Sequence, residues 1–578
     1  MNLAAISHRS NAQYTYAADS DHVVVTIKTG KDADNTFIIC EDPFIHELNR
    51  KREWYGKRKK MELFLELENH YIWRIKLCPE YKRLQYYFEI EAEGQIYTLY
   101  ENKLTRKENE NDRSKQYFKF PWLNPSDVIN PPEWVSNTVW YQIMPERYSR
   151  DDQFVNDGRF KNWGDMTNAK HDDFFGGSLK GITKRLPYIK SLGIGGIYTT
   201  PVFLSCSNHK YNTFDYKKID PDFGTEDDMK ELIEKAHESG IKIMLDAVFN
   251  HSGNKFAPWI DVQKYGEDSP YYDWFFINGD SIDREDFSTA DGRFYSFSFW
   301  AGMPKLNTNN PDVIDYFTDI ASYWVEKWKI DGIRFDVGDE VSHTFLRSLH
   351  TSLKKINPDI FLLGEIWNDS LGWVVNKEFD SVMNYPLSSC INDFCRYKTM
   401  DSTDFMYSLN HCRSLYPEQV TRVLFNFLDT HDTSRAIESC ENEDVLLQKL
   451  AALITLPGSP CIYYGTEIAM KGLRTPYNRQ CMPWDEIESG VHDEFIDKVS
   501  RLIKLRKNNA SFQSSELSFS HNPDNPRLIC YTKDNDTDIY LNLSQNNCVI
   551  NTNAKIIYSN KYSENILYPD GILITEKA

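Results

Sequence analysis

The sequence predicts an α/β chain built on a (β/α)8 barrel. A subdomain is inserted after the third strand, with an N-terminal β-sandwich before the barrel and a C-terminal β domain after it. Three observations lead there. Between Val139 and about residue 509, eight short apolar runs alternate with helical stripes. Residues 1–130 and 510–578 lack that helical period and read as short strands. The 578 residues are enough for about three to five domains.

The N-terminal strands are read from His22–Ile27, Met61–Leu67, Tyr71–Ile75, Leu84–Ile90 and Gln95–Tyr100, runs rich in β-branched and aromatic residues. Asn130-Pro131-Pro132 is an extended breaker and marks the end of the sandwich. The barrel then occupies 131–249 and 312–509. Its strands are expected at Val139–Ile143, Ile194–Thr200, Ile241–Phe249, Gly332–Val337, Ile360–Ile366, Ser381–Tyr385, Val423–Asp429 and Cys461–Tyr464. Helices are expected at Ser178–Leu192, Glu226–Ser239, Val313–Lys329 and Ser342–Ile356. The stretch 250–311 is too long for a plain connection and is crowded with Trp, Tyr, Phe and Asp, so it reads as a functional loop subdomain. Strands at Arg527–Thr532 and Asp538–Leu543 place a small β domain at 510–578.

Charge and composition narrow the function. The net charge is 66 − 85 = −19, which disfavours a nucleic-acid backbone or an anionic membrane as partner. No apolar run approaches the roughly 18 residues of a membrane span, and Met1–Arg9 does not read as a secretory leader. The eleven cysteines are scattered without a C-x-x-C pair, as expected of reduced thiols in a cytoplasmic protein. The motifs of zinc proteases, P-loop NTPases, Rossmann dehydrogenases and α/β-hydrolases are absent. Aromatic residues reach 14%. That fits sugar stacking, though core packing alone would also account for it.

In a (β/α)8 barrel the active site lies at the C-terminal ends of the strands. There the sequence places Asp246-Ala-Val-Phe-Asn-His251 after the third strand and Gly332-Ile-Arg334-Phe-Asp336 after the fourth. Gly364-Glu365-Ile-Trp367 follows the fifth and Asp429-Thr-His431-Asp432 the seventh. Any one of these is as readily a helix cap; four on one rim are not. Three convergent carboxylates with an arginine and two histidines suit glycosidic-bond cleavage. Arg334 beside Asp336 counts against a metal cluster.

These residues carry a resemblance. The chain resembles the α-amylase family of glycoside hydrolases, and within it the cyclomaltodextrinase, neopullulanase and maltogenic amylase branch. The branch signals are Tyr141–Arg147, Ser207–Tyr211 and Met303–Asn307. The resemblance implies a retaining hydrolase of α-1,4 bonds, and in part α-1,6 bonds, in cyclodextrins, maltooligosaccharides and pullulan, with transglycosylation open. Oligo-1,6-glucosidase or glucanotransferase activity is the alternative, and a non-catalytic sugar-binding barrel a more distant one. By resemblance Asp336 is the nucleophile, Glu365 the acid/base, which must start protonated, and Asp432 the third carboxylate. Arg334 is expected to hold Asp336 ionised, with Asp246 bracing the arginine. Tyr211 stacks under the sugar, His251 and His431 bind its hydroxyls, and Glu340 faces the acceptor. It further implies a starch-binding-like N-terminal domain and a homodimer in which that domain lies against the partner's barrel. No cofactor is expected.

Two departures stand out. The branch reads Val-Ala-Asn-Glu after the nucleophile, where this chain has Val337-Gly338-Asp339-Glu340; and Asn212 replaces an Asp after Tyr211. A third concerns calcium, which branch relatives often bind after the first barrel strand. Here Arg150 stands in place of the Asn and Ser178 in place of the Asp. The expectation is no metal, with Arg150 paired to a neighbouring Asp and Asp151, Asp152, Asn156 and Asp157 left over.

Overall fold

The computed structural model describes every residue except 110–114, 280, 281, 283–286, 523 and 578. Contacts divide the chain into two units. Met1–Asn130 groups with Asp401–Thr421, and Pro131–Met400 groups with Arg422–Ala578.

The first unit is a two-sheet sandwich. One sheet orders Thr15–Ala17, Val23–Gly30, His70–Leu77 and Glu62–Glu66; the other is centred on Asn35–Glu41, Leu84–Ala92 and Gln95–Tyr100. Alternation sends Val25, Ile27, Ile38, Trp73, Tyr86, Phe88 and Ile90 into the shared core. His8 is buried among these rings. Its Nδ1 donates to the Thr26 carbonyl at 2.7 Å, and burial lowers its pKa to about 3. The helix Ser402–Ser414 joins this unit: Asn410 donates to the Glu66 carbonyl at 2.9 Å and Lys31 reaches the Tyr407 hydroxyl at 2.8 Å.

The second unit holds the eight-stranded parallel barrel. Its strands are β1 (Trp140–Ile143), β2 (Gly196–Thr199), β3 (Lys242–Ala247), β4 (Gly332–Phe335), β5 (Phe361–Gly364), β6 (Ser381–Val382), β7 (Phe425–Phe427) and β8 (Ser459–Tyr463). They pair in the order β6-β5-β4-β3-β2-β1-β8-β7, and a parallel bridge from Met383 to Phe425 links β6 to β7. Trp140, Tyr198, Met244, Phe361, Leu363, Phe425 and Phe427 fill the interior, so the barrel is a packed core and the cleft lies at its rim. Local chemistry sets the helices. Ser178 caps one by accepting from Gly181 N–H, and Gly193 ends it in the left-handed region at φ 95°. Thr225 and Asp228 form a capping box at the next.

The helix expected at Val313–Lys329 runs α-helically from Pro311 to Tyr323 and then widens to a π-turn over Trp324–Trp328. Both indoles lie nearly parallel to Phe203, at 4.4 and 6.0 Å. In the inserted stretch, Ala257–Tyr265 is helical and Lys305 bridges back to His251. Residues 280, 281 and 283–286 of that stretch are outside the described set. The C-terminal sheet is built on Leu528–Lys533, Thr537–Asn542, Lys555–Ser563 and Ile566–Glu576. It is tied to the barrel by Gln448, whose amide donates to the Asn542 and Gly571 carbonyls, both at 3.0 Å.

Candidate active site

Parallel register puts Arg334 on β4 directly beside Asp246 on β3. Arg334 Nη1 lies 2.9 Å from Asp246 Oδ1 and 2.9 Å from Asp336 Oδ1, and Nη2 lies 2.7 Å from Glu365 Oε2. One fully buried guanidinium thus serves three carboxyls. Tyr198 and Tyr211 hydroxyls donate to Asp246 Oδ2 at 2.7 and 2.9 Å. Glu365 Oε2 also accepts the Val337 main-chain N–H at 2.9 Å, and Oε1 accepts from the Tyr385 hydroxyl at 3.3 Å.

The electrostatics differ from the expectation in one respect. Burial pushes Asp336 well above the usual carboxylate range; Arg334 opposes this, but the Glu365 and Asp246 charges add to it. A single cation faces three buried carboxyls, so full ionisation of the cluster is disfavoured. Asp432 is the opposite case. Burial raises it, yet the His431 ring at 2.9 Å and the Arg479 guanidinium at 3.0 Å outweigh burial and hold it well below its ordinary value.

The remaining predicted residues converge on the same cavity of about 910 Å³, which Tyr211, His251, Asp336, Glu340, Glu365, His431 and Asp432 line. The hairpin Phe203–Ser205/Thr213–Ile219 carries Tyr211, whose ring lies flat against His431 at 5.3 Å and 7°. Gln142 donates to His431 Nδ1, leaving Nε2 to face Tyr211 Oη and Asp432. His251 donates from Nε2 to the Tyr211 carbonyl at 3.1 Å, and burial lowers its pKa to about 3, so it stays neutral. Lys305 reaches from the inserted stretch to Asn250 Oδ1, to the Glu340 carbonyl at 2.8 Å and to Glu340 Oε2 at 3.3 Å. Asp339 lines the cavity beside Glu340. Asn212 receives the Ser205 hydroxyl at 2.6 Å and that of Ser207, while Lys210 pairs with Asp220 at 2.9 Å. A hydroxyl fork therefore holds the Asn212 side chain at this position.

Arg479, Tyr198 and Tyr385 were not found by sequence reasoning. Arg479 comes from the loop after β8, and no spacing links it to Asp432. Arg150 corrects an expectation. Among the described residues it pairs with no Asp: Nε donates to the Phe175 carbonyl at 2.7 Å, Nη2 donates to the Lys161 carbonyl at 2.6 Å, and the guanidinium covers the Phe154 ring at 3.9 Å. The nearby carboxylates have other partners, Asp152 with Lys184 and Asp157 with Arg159. A guanidinium occupies this loop and Asp152 and Asp157 already have cationic partners, so the loop does not fit Ca²⁺. Among the described residues no cluster of three or more His, Cys, Asp or Glu could hold a metal.

Residues 142–558 match the family model described as alpha amylase, catalytic domain, and residues 1–124 match alpha amylase, N-terminal ig-like domain. The chain belongs to the α-amylase family. Within this family it is 38% identical to a maltogenic alpha-amylase of Bacillus acidopullulyticus over 550 residues, which is 94% of this chain and 92% of that protein. It is 38% identical to a cyclomaltodextrinase of Geobacillus thermopakistaniensis, covering 92% and 89%. A solved cyclomaltodextrinase superposes with a TM-score of 0.87 at 32% identity, covering 100% of this chain and 98% of that one. The chain is thus an α-amylase-family glycoside hydrolase, with the family's barrel, N-terminal domain and C-terminal sheet. Among its described residues no helix is long and apolar enough to cross a membrane.

Proposed function

We propose that this enzyme cleaves α-1,4-glucosidic bonds of cyclodextrins, maltooligosaccharides and pullulan by double displacement, with net retention. The observation that carries the proposal is the placement of Asp336 and Glu365 on one guanidinium at the floor of the cleft, with Asp432 lining the same cavity. An Asp336 oxygen attacks the anomeric carbon while Glu365 gives its proton to the glycosidic oxygen, and the C1–O bond breaks. Water then attacks C1, its proton passes to Glu365, and the Asp336 ester bond is released. The cycle requires Glu365 to carry that proton and Asp336 to be a carboxylate when the sugar is bound. Asp432, held anionic, binds sugar hydroxyls and faces the oxocarbenium-like charge. Tyr211 supports the ring, His251 and His431 face its hydroxyls, and Asp246 braces Arg334.

The names of the relatives support small and cyclic glucans as substrates. Transfer to a second sugar is the alternative reading, since Asp339 and Glu340 both line the cavity and offer acceptors to sugar hydroxyls. Product chromatograms from β-cyclodextrin, pullulan and starch test the proposal. Maltose and panose with little action on starch is the expected pattern; equal or better action on starch would refute the substrate preference.

Residues 1–130 are proposed as a starch-binding-like module through which two copies pair, each sandwich against the partner's barrel. Exposed Phe44, Leu48 and Trp122 give that module apolar surface to bury. A cytoplasmic location is proposed on the eleven free thiols.

A further inference from the structure

The two oxygens of Glu365 have different surroundings. Oε2 accepts the Val337 N–H at 2.9 Å and lies 2.7 Å from Arg334 Nη2. Oε2 thus accepts one N–H and lies against a guanidinium, both of which favour a charged oxygen, so Oε2 is the oxygen that bears negative charge. The Val337 donor is aimed by its backbone. With φ 47° and ψ 49°, Val337 is left-handed, a conformation that β-branched residues avoid. The turn is packed in place. Gly338 N–H donates to the Glu365 carbonyl at 3.0 Å, and a Cβ at 338 would come within 3.2 Å of Phe379.

Among the described residues Oε1 has a single hydrogen-bond partner, the Tyr385 hydroxyl at 3.3 Å. Tyr385 is itself fixed. Its ring lies flat on Trp367 at 3.8 Å and 17°, and meets the edge of Phe427 at 4.9 Å. Trp367 in turn lines the cleft.

We infer that Glu365 carries its transferable proton on Oε1, and that Tyr385 is a positioning residue that orients this oxygen and steadies its charge once the proton has left. The inference rests on the proposed acid/base role of Glu365. Tyr385 donates to Oε1 throughout the cycle. Its contribution is largest when Glu365 is a carboxylate, between loss of the proton to the leaving sugar and its recovery from water. The charged and titratable groups around this carboxyl are Arg334 from β4, Asp336 and Asp339 in the turn after it, Tyr198 from β2 and Tyr385 after β6, with Asp432 acting on Tyr385 from beyond β7.

The test compares two substrates. Maltotriose has a poor leaving group that needs Glu365's proton; an aryl α-maltoside with an acidic phenol needs little. Tyr385→Phe is expected to lower kcat/KM on maltotriose about tenfold, the worth of one hydrogen bond to a charged group, and on the aryl substrate less than about twofold. The basic limb of its pH profile should move to higher pH, because the carboxylate form has lost a donor. Should Tyr385→Phe fail to fold, Trp367→Phe loosens the plate behind Tyr385 and is expected to give the same selective loss, smaller in size. Glu365→Gln separates the two levels of the account. If it loses maltotriose turnover selectively while Tyr385→Phe, or Trp367→Phe in its place, affects both substrates equally with an unmoved basic limb, the role of Tyr385 is overturned. If Glu365→Gln itself shows no selectivity, the acid/base reading falls and this inference with it.

Discussion

Asp336→Asn should abolish turnover and stabilise the protein at the same time. The substitution removes one of three carboxyls from the Arg334 guanidinium, which keeps Asp246 and Glu365, so no buried cation is orphaned. In the native chain burial and the neighbouring carboxylates raise Asp336 above its ordinary 3.8. A carboxyl raised on folding contributes stability that is fully present below its unfolded pKa and lost as pH rises through its folded one. Removing it therefore helps most at neutral and alkaline pH, and the gain fades as pH falls toward 4. The gain at pH 8 should be of ordinary single-site size, a rise of about 2–4 °C in Tm. kcat should fall by about 10⁴-fold or more. Melting curves from pH 5 to 9 and maltotriose assays on the same samples read both. A lower Tm at pH 8, a stabilisation that grows toward acid pH, or turnover near native would refute the reasoning.

Other outcomes follow from the same geometry. His8, His209 and His251 are each lowered to about 3 by burial; stability is therefore present above their unfolded 6.5 and lost as pH falls from there toward 3, and His209→Gln should flatten that slope by about 1.4 kcal/mol per pH unit in urea titrations. Arg150 already satisfies the Phe175 and Lys161 carbonyls, so neither EGTA nor millimolar CaCl2 should move Tm, whereas Arg150→Ala should lower it; a calcium-dependent rise of several degrees would contradict this. Arg479→Ala should leave Asp432 without its guanidinium partner and lower kcat/KM about tenfold to a hundredfold, read on β-cyclodextrin. Sedimentation of the full chain at micromolar concentration should give the mass of two copies, and a monomer would end the pairing proposal.

The barrel and its carboxylates were legible because they rest on local patterns. Strand period, breaker residues and the position of an acid at a strand's end are all written in consecutive residues. Asp246, Arg334, Asp336 and Glu365 meet because adjacent parallel strands run in register, so their convergence could be read from the fold class. What escaped depends on contacts between distant loops. Arg479 finds Asp432 from 47 positions away. Ser402–Ser414 sits in a stretch expected to be barrel, and groups with the sandwich through Asn410 and Tyr407. The π-turn at Trp324–Trp328 answers to Phe203, a packing demand no helical period records. Arg150 was expected to seek an Asp. It took backbone carbonyls instead, because its neighbouring carboxylates were claimed by Lys184 and Arg159.

The central claim is that Asp336 forms a covalent bond to the sugar. A 5-fluoro-α-glucosyl fluoride accelerates formation of such an ester and slows its hydrolysis, so the adduct accumulates and can be located by peptide mass mapping. The account predicts one added fluoroglucosyl group on the peptide containing Gly332–Val337, at Asp336, in native protein and none in Asp336→Asn. An adduct on another carboxylate, or none while the substrate turns over to β-anomeric product, would contradict it.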